Sequence, residues 1–187
     1  VVADQNGSGA TMTRKETVAD SVLFDALLEF AAPEGTVLPE PDPKEEGRAQ
    51  ATLWGEPLGE GPYCKFYIDK ACSQAVYNGS LSYGFSYLED SNPTDNKMQF
   101  LFLAECGHNL PEDAAYCWIG GIQSLCMNYQ GVWTAQMEGM DFELVIPLPE
   151  RSSYRFEGRN GVNLGGKALA MLENLSISPI SVTLYLI

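Results

Sequence analysis

The chain of 187 residues carries 11 Lys and Arg against 25 Asp and Glu, so its formal net charge is −14 at pH 7. Such an acidic surface repels phosphate backbones and anionic lipids, which argues against binding to nucleic acid or a membrane surface. Hydrophobic residues make up 45% of the chain, which excludes disorder throughout. No apolar run reaches the roughly 18 residues that cross a bilayer.

Two stretches are expected to lack regular structure. Residues 1–14 begin with small and polar side chains and have no initiator Met, so we expect a flexible linker there, followed by a single domain over residues 15–187. Residues 33–49 combine prolines with many acidic side chains, which predicts a long, extended acidic loop. The offsets between those acids do not match a calcium-binding loop, so no metal site is expected in it.

The next segment, residues 15–30, is ambiguous between helix and strand. Its apolar spacing approximates a helix, whereas residues 22–24 and 27–30 also fit two short strands on either side of Asp25. Short apolar runs cannot be assigned by periodicity alone, so both interpretations stay open at this point.

Alternating side chains predict strands through the middle of the chain. Residues 51–54 and 63–68 fit short strands, and residues 89–96 fit a hairpin connection. Residues 97–104 are apolar on both faces, which predicts a central strand. In residues 77–88 one face is small, which means that it is closely covered or faces water; that face consists of Ser82, Gly84 and Ser86.

Three further runs follow in chain order. Residues 116–127 are interpreted as a strand interrupted at Gly120 and Gly121, and a new run starts at residue 131. Residues 140–149 form a clear strand pattern, with one apolar face made by Phe142, Leu144 and Ile146.

The last stretch alternates from Ile180 onward, with Val182, Leu184 and Leu186 on the same face. We expect it to be the closing strand of the domain, paired with strands far upstream and beginning or bulging at Pro179. Gly165 and Gly166 predict a hairpin turn before it. About nine short strands with frequent turns predict an all-β fold, either a sandwich or a barrel.

Catalytic candidates are few. His108 is the single histidine and lies between Cys106 and Cys117, so a thiol–imidazole pair is conceivable. No orienting acid or oxyanion motif accompanies it, and we interpret it as a loop histidine. A three-histidine metal centre is excluded, and neither a nucleophile elbow nor a phosphate-binding glycine motif is present.

Acidic pairs, aromatic residues and cysteines leave other possibilities. The pairs Glu89-Asp90 and Glu112-Asp113 are interpreted as solvated loop residues, although paired carboxylates can hydrolyse glycosidic bonds. Five aromatic residues are expected to pack in the core but could stack on sugars if exposed; they are Trp54, Trp118, Trp133, Tyr83 and Tyr87. The odd number of cysteines leaves at least one unpaired, and their spacings fit no zinc site but allow one or two disulfides; they are Cys64, Cys72, Cys106, Cys117 and Cys126.

Several short stretches resemble one family. The phrase Leu-Ser-Ile-Ser-Pro-Ile-Ser-Val-Thr-Leu within residues 174–186 is similar to the extracytoplasmic, immunoglobulin-like domains of anti-sigma-factor-like membrane proteins in Gram-positive bacteria. Similar pieces are residues 19–25 with 32–38, residues 88–90 with 96–103, and residues 131–133 with 142–149. The resemblance implies an immunoglobulin-like β-sandwich with long loops, favours strand over helix for residues 18–30, and brings no catalytic motif.

The resemblance and the missing active-site motifs together give a functional expectation. We expect a non-enzymatic sensing or interaction domain of a membrane-anchored anti-sigma-factor-like regulator, at the extracytoplasmic cell surface, without cofactor, metal or catalytic residues. Its ligand is unassigned, its partner is expected to be a protein or glycan outside the cell, and contact with the membrane is expected only through an anchor segment. The alternative is a cell-surface adhesion or carbohydrate-binding module; a hydrolase is the third option.

Overall fold

The computed structural model describes residues 1–38, 50–55, 62–88, 95–129, 131–151, 154–163, 169–178 and 180–186. Across these residues the chain is all-β, with antiparallel sheets and no helix, as the sequence predicts. The strands are β1 Val2–Ala3, β2 Thr11–Ala19, β3 Leu23–Ala31, β4 Gln50–Trp54, β5 Tyr63–Tyr67, β6 Leu81–Leu88, β7 Lys97–Cys106, β8 Tyr116–Ile122, β9 Ser124–Tyr129, β10 Val132–Met137, β11 Phe142–Pro147, β12 Tyr154–Asn163, β13 Leu169–Ile177 and β14 Val182–Leu186.

The first sheet has the order β1-β2-β3-β7-β6 and contains the ambiguous segment. Residues 23–31 form one continuous strand, β3, which pairs with β7 from Leu23 opposite Glu105 to Ala31 opposite Lys97. The helix alternative and the division into two strands around Asp25 are both wrong. Alternation decides the outcome, because every second residue of β3 is buried against the core and the backbone is paired along its whole length.

The first residues belong to the same sheet, contrary to the flexible linker predicted over residues 1–14. β1 pairs with the start of β2, and the side chain of Met12 is fully buried. The Asp4 carboxylate holds the intervening turn, since it accepts hydrogen bonds from the backbone N–H groups of Ser8 at 2.6 Å and Asp141 at 2.6 Å. Small polar residues therefore form a capped turn here, because an Asp side chain can satisfy backbone donors locally.

Strands β6 and β7 match their predicted characters. β7 pairs with β3 on one side and β6 on the other, so it is an interior strand. The small face of β6 is exposed, and a Cβ atom added at Gly84 would meet nothing within 4 Å. Of the two alternatives for that face, the structure therefore bears out the one in which it faces water.

The second sheet has the order β10-β9-β4 and the third has the order β11-β8-β5. The strand predicted over residues 116–127 is divided at Gln123 into β8 and β9. At Gly120 and Gly121, where the interruption was predicted, β8 continues but its register with β11 shifts. Gly121 has a φ of 69°, which glycine adopts freely, so the strand continues through it. The N–H of Gln123 donates to the carbonyl of Trp54 at 2.8 Å and so links the chain to β4.

Phenylalanine rings connect the inner faces of the first and third sheets. Phe24 meets Phe66 edge to face with ring centroids 6.2 Å apart, and Phe30 meets Phe142 in the same way at 6.3 Å. The predicted apolar face of β11 takes part, since Phe142, Leu144 and Ile146 are all buried. Edge-to-face packing of this kind adds to the free energy gained by burying the rings.

Neighbouring sheets also meet at their edges. β4 of the second sheet lies beside β6 of the first. β1 of the first sheet lies beside β11 of the third, where the N–H of Gln5 donates to the carbonyl of Asp141 at 3.0 Å. The edges of β6, β4, β1 and β11 are therefore each next to another strand.

The fourth sheet, β12-β13-β14, corrects the prediction for the last strand. β14 pairs with β13 directly before it, with Ile177 opposite Val182, and not with a strand far upstream in the described part of the chain. The alternation in residues 180–186 was a valid signal for a strand, but alternation does not identify the partner. The turn predicted at Gly165 and Gly166 and most of the acidic loop over 33–49 lie outside the described residues.

Candidate functional site

His108 lies in the loop after β7 and is exposed. Its backbone N–H donates to the Tyr77 hydroxyl at 3.0 Å, which fixes the loop and leaves the imidazole outside the core. Cys106 and Cys117 are both buried, and within the described residues no hydrogen bond joins either thiol to His108. The conceivable thiol–imidazole pair is therefore not formed, and the interpretation of His108 as a loop residue agrees with its position.

Three cysteine side chains, those of Cys64, Cys106 and Cys117, belong to the buried core between the sheets. The sulfur atoms of Cys64 and Cys117 are 3.6 Å apart, close enough for a thiol contact but not a bond. Burial raises the pKa of Cys106 to about 12 and, together with the neighbouring Cys64, raises that of Cys117 well above its usual range. Because the thiolate is the reactive form, the thiols of Cys106 and Cys117 are poor nucleophiles in the folded protein. All five cysteines are free thiols in the structure.

The acidic residues divide into solvated and buried ones. Glu112 and Asp113 are exposed in a turn, as predicted, whereas Glu89 and Asp90 lie outside the described residues. Over the described ranges no cluster of three or more His, Cys, Asp or Glu side chains is arranged to hold a metal ion. The same ranges contain no helix that is long and apolar enough to cross a membrane.

Asp20 joins the fourth sheet to the first, a role that no pattern in the sequence predicts. Its carboxylate accepts hydrogen bonds from the hydroxyls of Ser178, at 2.6 Å, and Ser181. Burial alone would raise the pKa of Asp20, but these hydroxyls and the N–H groups of Val22 and Leu23 lower it below the usual range. The arrangement stabilises the Asp20 carboxylate as an anion and connects the two sheets.

Asp25 differs from Asp20, because one of its carboxylate oxygens, Oδ1, is buried and has no hydrogen-bond partner. It lies on the outer face of the first sheet, between Val18 of β2 and Leu103 of β7. Burial, assisted by the negative charge of Asp20, raises the pKa of Asp25. Asp25 could have been singled out in the sequence, because it is an acidic residue at a position where the alternation of β3 gives it apolar neighbours.

The aromatic residues do not behave as one class. Tyr83 and Tyr87 are half-buried and pack against Phe102 and Phe100, as the prediction of core packing requires. The three tryptophans are not in the buried core, so for them the prediction is wrong. Trp54 and Trp133 meet edge to face on the outer face of the second sheet, with ring centroids 6.0 Å apart, and Trp133 is 40% exposed.

Trp118 lies on the outer face of the third sheet, and glycine decides how its ring is held. A Cβ atom added at Gly120 would overlap the six-membered ring of the Trp118 indole. The six-membered ring of the indole therefore covers Gly120, two residues further along β8 on the same face. Cross-strand neighbours flank it, with Lys65 of β5 on one side and Val145 of β11 on the other.

Tyr63 completes this surface. It pairs with Gly120 across β5 and β8, and its ring lies over Gly121, where an added Cβ atom would be 3.0 Å from Cδ2. Tyr63 is 39% exposed and Trp118 is half-buried. We name these two rings, with Gly120 and Gly121 beneath them, the aromatic platform. The Trp-x-Gly-Gly spacing was the sequence signal that could have predicted it, because residues two apart share a face of a strand.

Comparisons of the chain with protein-family models, with curated proteins and with solved structures found no match.

Proposed function

We propose that the chain is a non-enzymatic binding module with an immunoglobulin-like β-sandwich architecture, and that carbohydrate binds on its aromatic platform outside the cytoplasm. The aromatic platform is the observation that carries the proposal. The Trp118 indole covers Gly120 on the outer face of the third sheet and is half-buried, and the neighbouring Tyr63 ring is 39% exposed. Exposed rings of this kind mark interaction surfaces, because exposing apolar area to water costs free energy.

The chemistry of the platform fits a sugar ring. The C–H groups on one face of a pyranose pack on an aromatic ring, and the sugar hydroxyls need polar partners at the rim. Lys65, exposed beside Trp118, supplies hydrogen-bond donors, and exposed Glu143 of β11 supplies acceptors. A neutral glycan suits a chain of net charge −14 better than an anionic one, since it brings no charge repulsion.

The non-enzymatic part of the proposal is supported by the state of the candidate groups. His108 is exposed on a loop, and the thiols of Cys106 and Cys117 are buried with raised pKa values. A general base or nucleophile needs a partner within hydrogen-bond reach. A hydrolase assay on esters and glycosides should give no turnover; turnover abolished by His108→Ala would contradict this part.

Glycan-array screening followed by calorimetry tests the binding proposal. Binding should be lost in Trp118→Ala and weakened in Tyr63→Ala, while Trp133→Ala, which removes an exposed indole elsewhere, should bind like the wild type. Thermal unfolding of all three variants checks that they are folded. Equal loss in Trp118→Ala and Trp133→Ala, or no glycan bound by the wild type, would contradict the proposal.

A second candidate is the outer domain of a membrane-anchored anti-sigma-factor-like regulator. One observation favours it: residues 19–25 and 174–186, two stretches that resemble that family, meet through the hydrogen bonds from Ser178 and Ser181 to Asp20. A ligand outside would act on such a regulator only by binding two states with different affinity. The coding sequence before Val1 tests this role, which requires a transmembrane segment there.

A further inference from the structure

The edges of the first three sheets are not equally protected. β6 and β4 lie beside each other, as do β1 and β11. The outer edge of β5 is covered at its end, where the N–H of Val76 donates to the carbonyl of Phe66 at 3.0 Å, and it carries the charged Lys65. Sheet edges are commonly protected by covering segments and by charges, because an unpaired edge can bind another strand.

In the described part of the chain, β10 has neither form of protection. It is the end strand of the second sheet, and in the described part of the chain only β9 pairs with it. Its sequence, Val-Trp-Thr-Ala-Gln-Met, contains no charge, proline or glycine in a chain of net charge −14. Val132 is 65% exposed and Trp133 is 40% exposed. Uncharged exposed strands with high β-propensity are the ones that pair with other chains.

β2 provides a comparison within the same molecule. β1 pairs only with its first two residues, so the rest of β2 also has a free edge among the described strands. That part carries Arg14, Lys15 and Glu16, and the register shifts between Arg14 and Glu16. β10 also has a register shift, between Ala135 and Met137, so the two edges differ in charge. A charged edge resists further pairing. Because the chain protects this edge and leaves β10 uncharged, the lack of charge on β10 is not a general property of its strands.

We propose that β10 pairs with β10 of a second copy of this chain, forming a symmetric antiparallel dimer. The β10-β9-β4 sheets of the two copies then join into one continuous sheet. An antiparallel pair of identical strands has two-fold symmetry, so both copies use the same surface. A pair centred between Thr134 and Ala135, with the register shift between Ala135 and Met137 retained, places each Glu138 near Gly131 of the second copy. The two carboxylates then lie at opposite ends of the ladder, and no like charges face each other across it.

The small size of the contact limits the affinity of the dimer. A ladder of six residues with Trp133 buries less than the roughly 1,600 Å² of a standard interface, so the dimer is weak. The net charge of −14 on each copy opposes association at long range, and salt screens that repulsion. Association should therefore be in the micromolar range or weaker and should strengthen as the salt concentration rises.

Sedimentation velocity of the whole chain over a range of protein and salt concentrations tests the dimer. The wild type should show a monomer–dimer equilibrium that shifts towards dimer with added salt. Val132→Lys should raise the dissociation constant about tenfold or more, because each dimer gains two ammonium groups at the ladder. Val18→Lys is the matched control on the protected edge of β2 and should dimerise like the wild type. Both valines are exposed, so both variants should fold, which circular dichroism checks.

Hydrogen exchange measured at low and high protein concentration locates the contact. Concentration-dependent protection of residues 132–137 supports the proposal. A wild type that stays monomeric at near-millimolar concentration would overturn it. Dimers that persist unchanged in Val132→Lys, or protection confined to another edge such as β14, would overturn it as well. These results are independent of glycan binding, since Trp118 and Tyr63 lie on a different sheet.

Discussion

The outer faces of the first and third sheets differ, although both sheets contribute phenylalanines to the same core. The third sheet exposes the aromatic platform, whereas the β6 part of the first exposes only the small residues Ser82, Gly84 and Ser86. Even the glycines differ: Gly120 lies under an indole, and Gly84 has open space above it. Core packing cannot explain a ring held on the outside of the sheet, so the comparison favours recognition over stability as the reason for Trp118.

Removing a shared core ring should have the largest effect. Phe24→Ala deletes a fully buried ring that contacts both Phe66 and Phe102, and it should lower the free energy of unfolding by about 3–5 kcal/mol. Trp118→Ala, on the outer face, should cost about 1 kcal/mol or less. Urea unfolding measures both variants. Similar losses of unfolding free energy in the two variants would contradict the difference between core and outer face, since Trp118 would then be a structural residue.

The Asp4 carboxylate, which connects the first and third sheets, should make the free energy of unfolding depend on pH in acid. Burial alone would raise the pKa of Asp4, but hydrogen bonds from the N–H groups of Ser8, Asp141 and Asn6 lower it from 3.8 to about 2. A lowered pKa stabilises the folded state above the unfolded value, and this contribution is lost as the pH falls from about 4 towards 2.

The expected loss is about 2 kcal/mol, from 1.4 kcal/mol per pKa unit. The difference in unfolding free energy between the wild type and Asp4→Asn isolates it. That difference should shrink with acidification; a difference that stays constant from pH 5 to pH 2 would mean that the Asp4 carboxylate is not the group responsible.

Two glycine substitutions, one on each outer face, test whether the two faces differ in glycan binding. Gly120→Ala keeps Trp118 but displaces its indole, and should weaken glycan binding about tenfold, or 1.4 kcal/mol. Gly84→Ala meets nothing within 4 Å and should leave binding unchanged. Calorimetric titration with the glycan found in the array compares them. Unchanged affinity in Gly120→Ala would show that the position of the indole over Gly120 is unimportant for binding.

Asp25 should give the smallest effect, with the opposite sign. Burial of the carboxylate raises its pKa, so the charged form costs stability once the pH rises through the folded pKa, and this cost is absent below the unfolded value. Asp25→Asn should therefore raise the unfolding free energy at pH 7 by about 1 kcal/mol and give no gain at low pH.

Glu29→Gln, on the same strand but ion-paired with Lys15 at 3.0 Å, is the control and should bring no gain. Thermal unfolding at both pH values compares the two variants. An Asp25→Asn protein that is less stable than the wild type at pH 7 would indicate that the carboxylate has a stabilising partner.

Local alternation predicted much of the all-β fold. It identified Phe142, Leu144 and Ile146 as a buried face, because side chains in a strand alternate whatever their partner. The two apolar faces of residues 97–104 identified β7 as interior. It could not identify partners, so the local pairing of β14 was missed. It also missed the turn held by Asp4, where the deciding hydrogen bond comes from Asp141, far along the chain.

The candidate site was predictable only in part. Sequence reasoning named Trp118 among five aromatic residues but assigned it to the core, because the type of residue does not reveal which side of a sheet it occupies. The neighbouring Gly120 and Gly121 carried the missing information, since small residues allow a ring to lie flat on a strand. Asp20 and its two serine donors were not predictable, because they meet only in the folded chain.

The meander β12-β13-β14 also has a consequence for the order of folding. Among the described residues its strands pair with neighbours close in sequence, whereas β3 must wait for β7, many residues later. During synthesis on the ribosome the meander emerges after β3 and β7 yet needs the least searching, because short loops close at little entropic cost. The meander is thus suited to assemble by itself and then dock through Asp20, which would shorten the time that a newly made chain exposes unpaired strands.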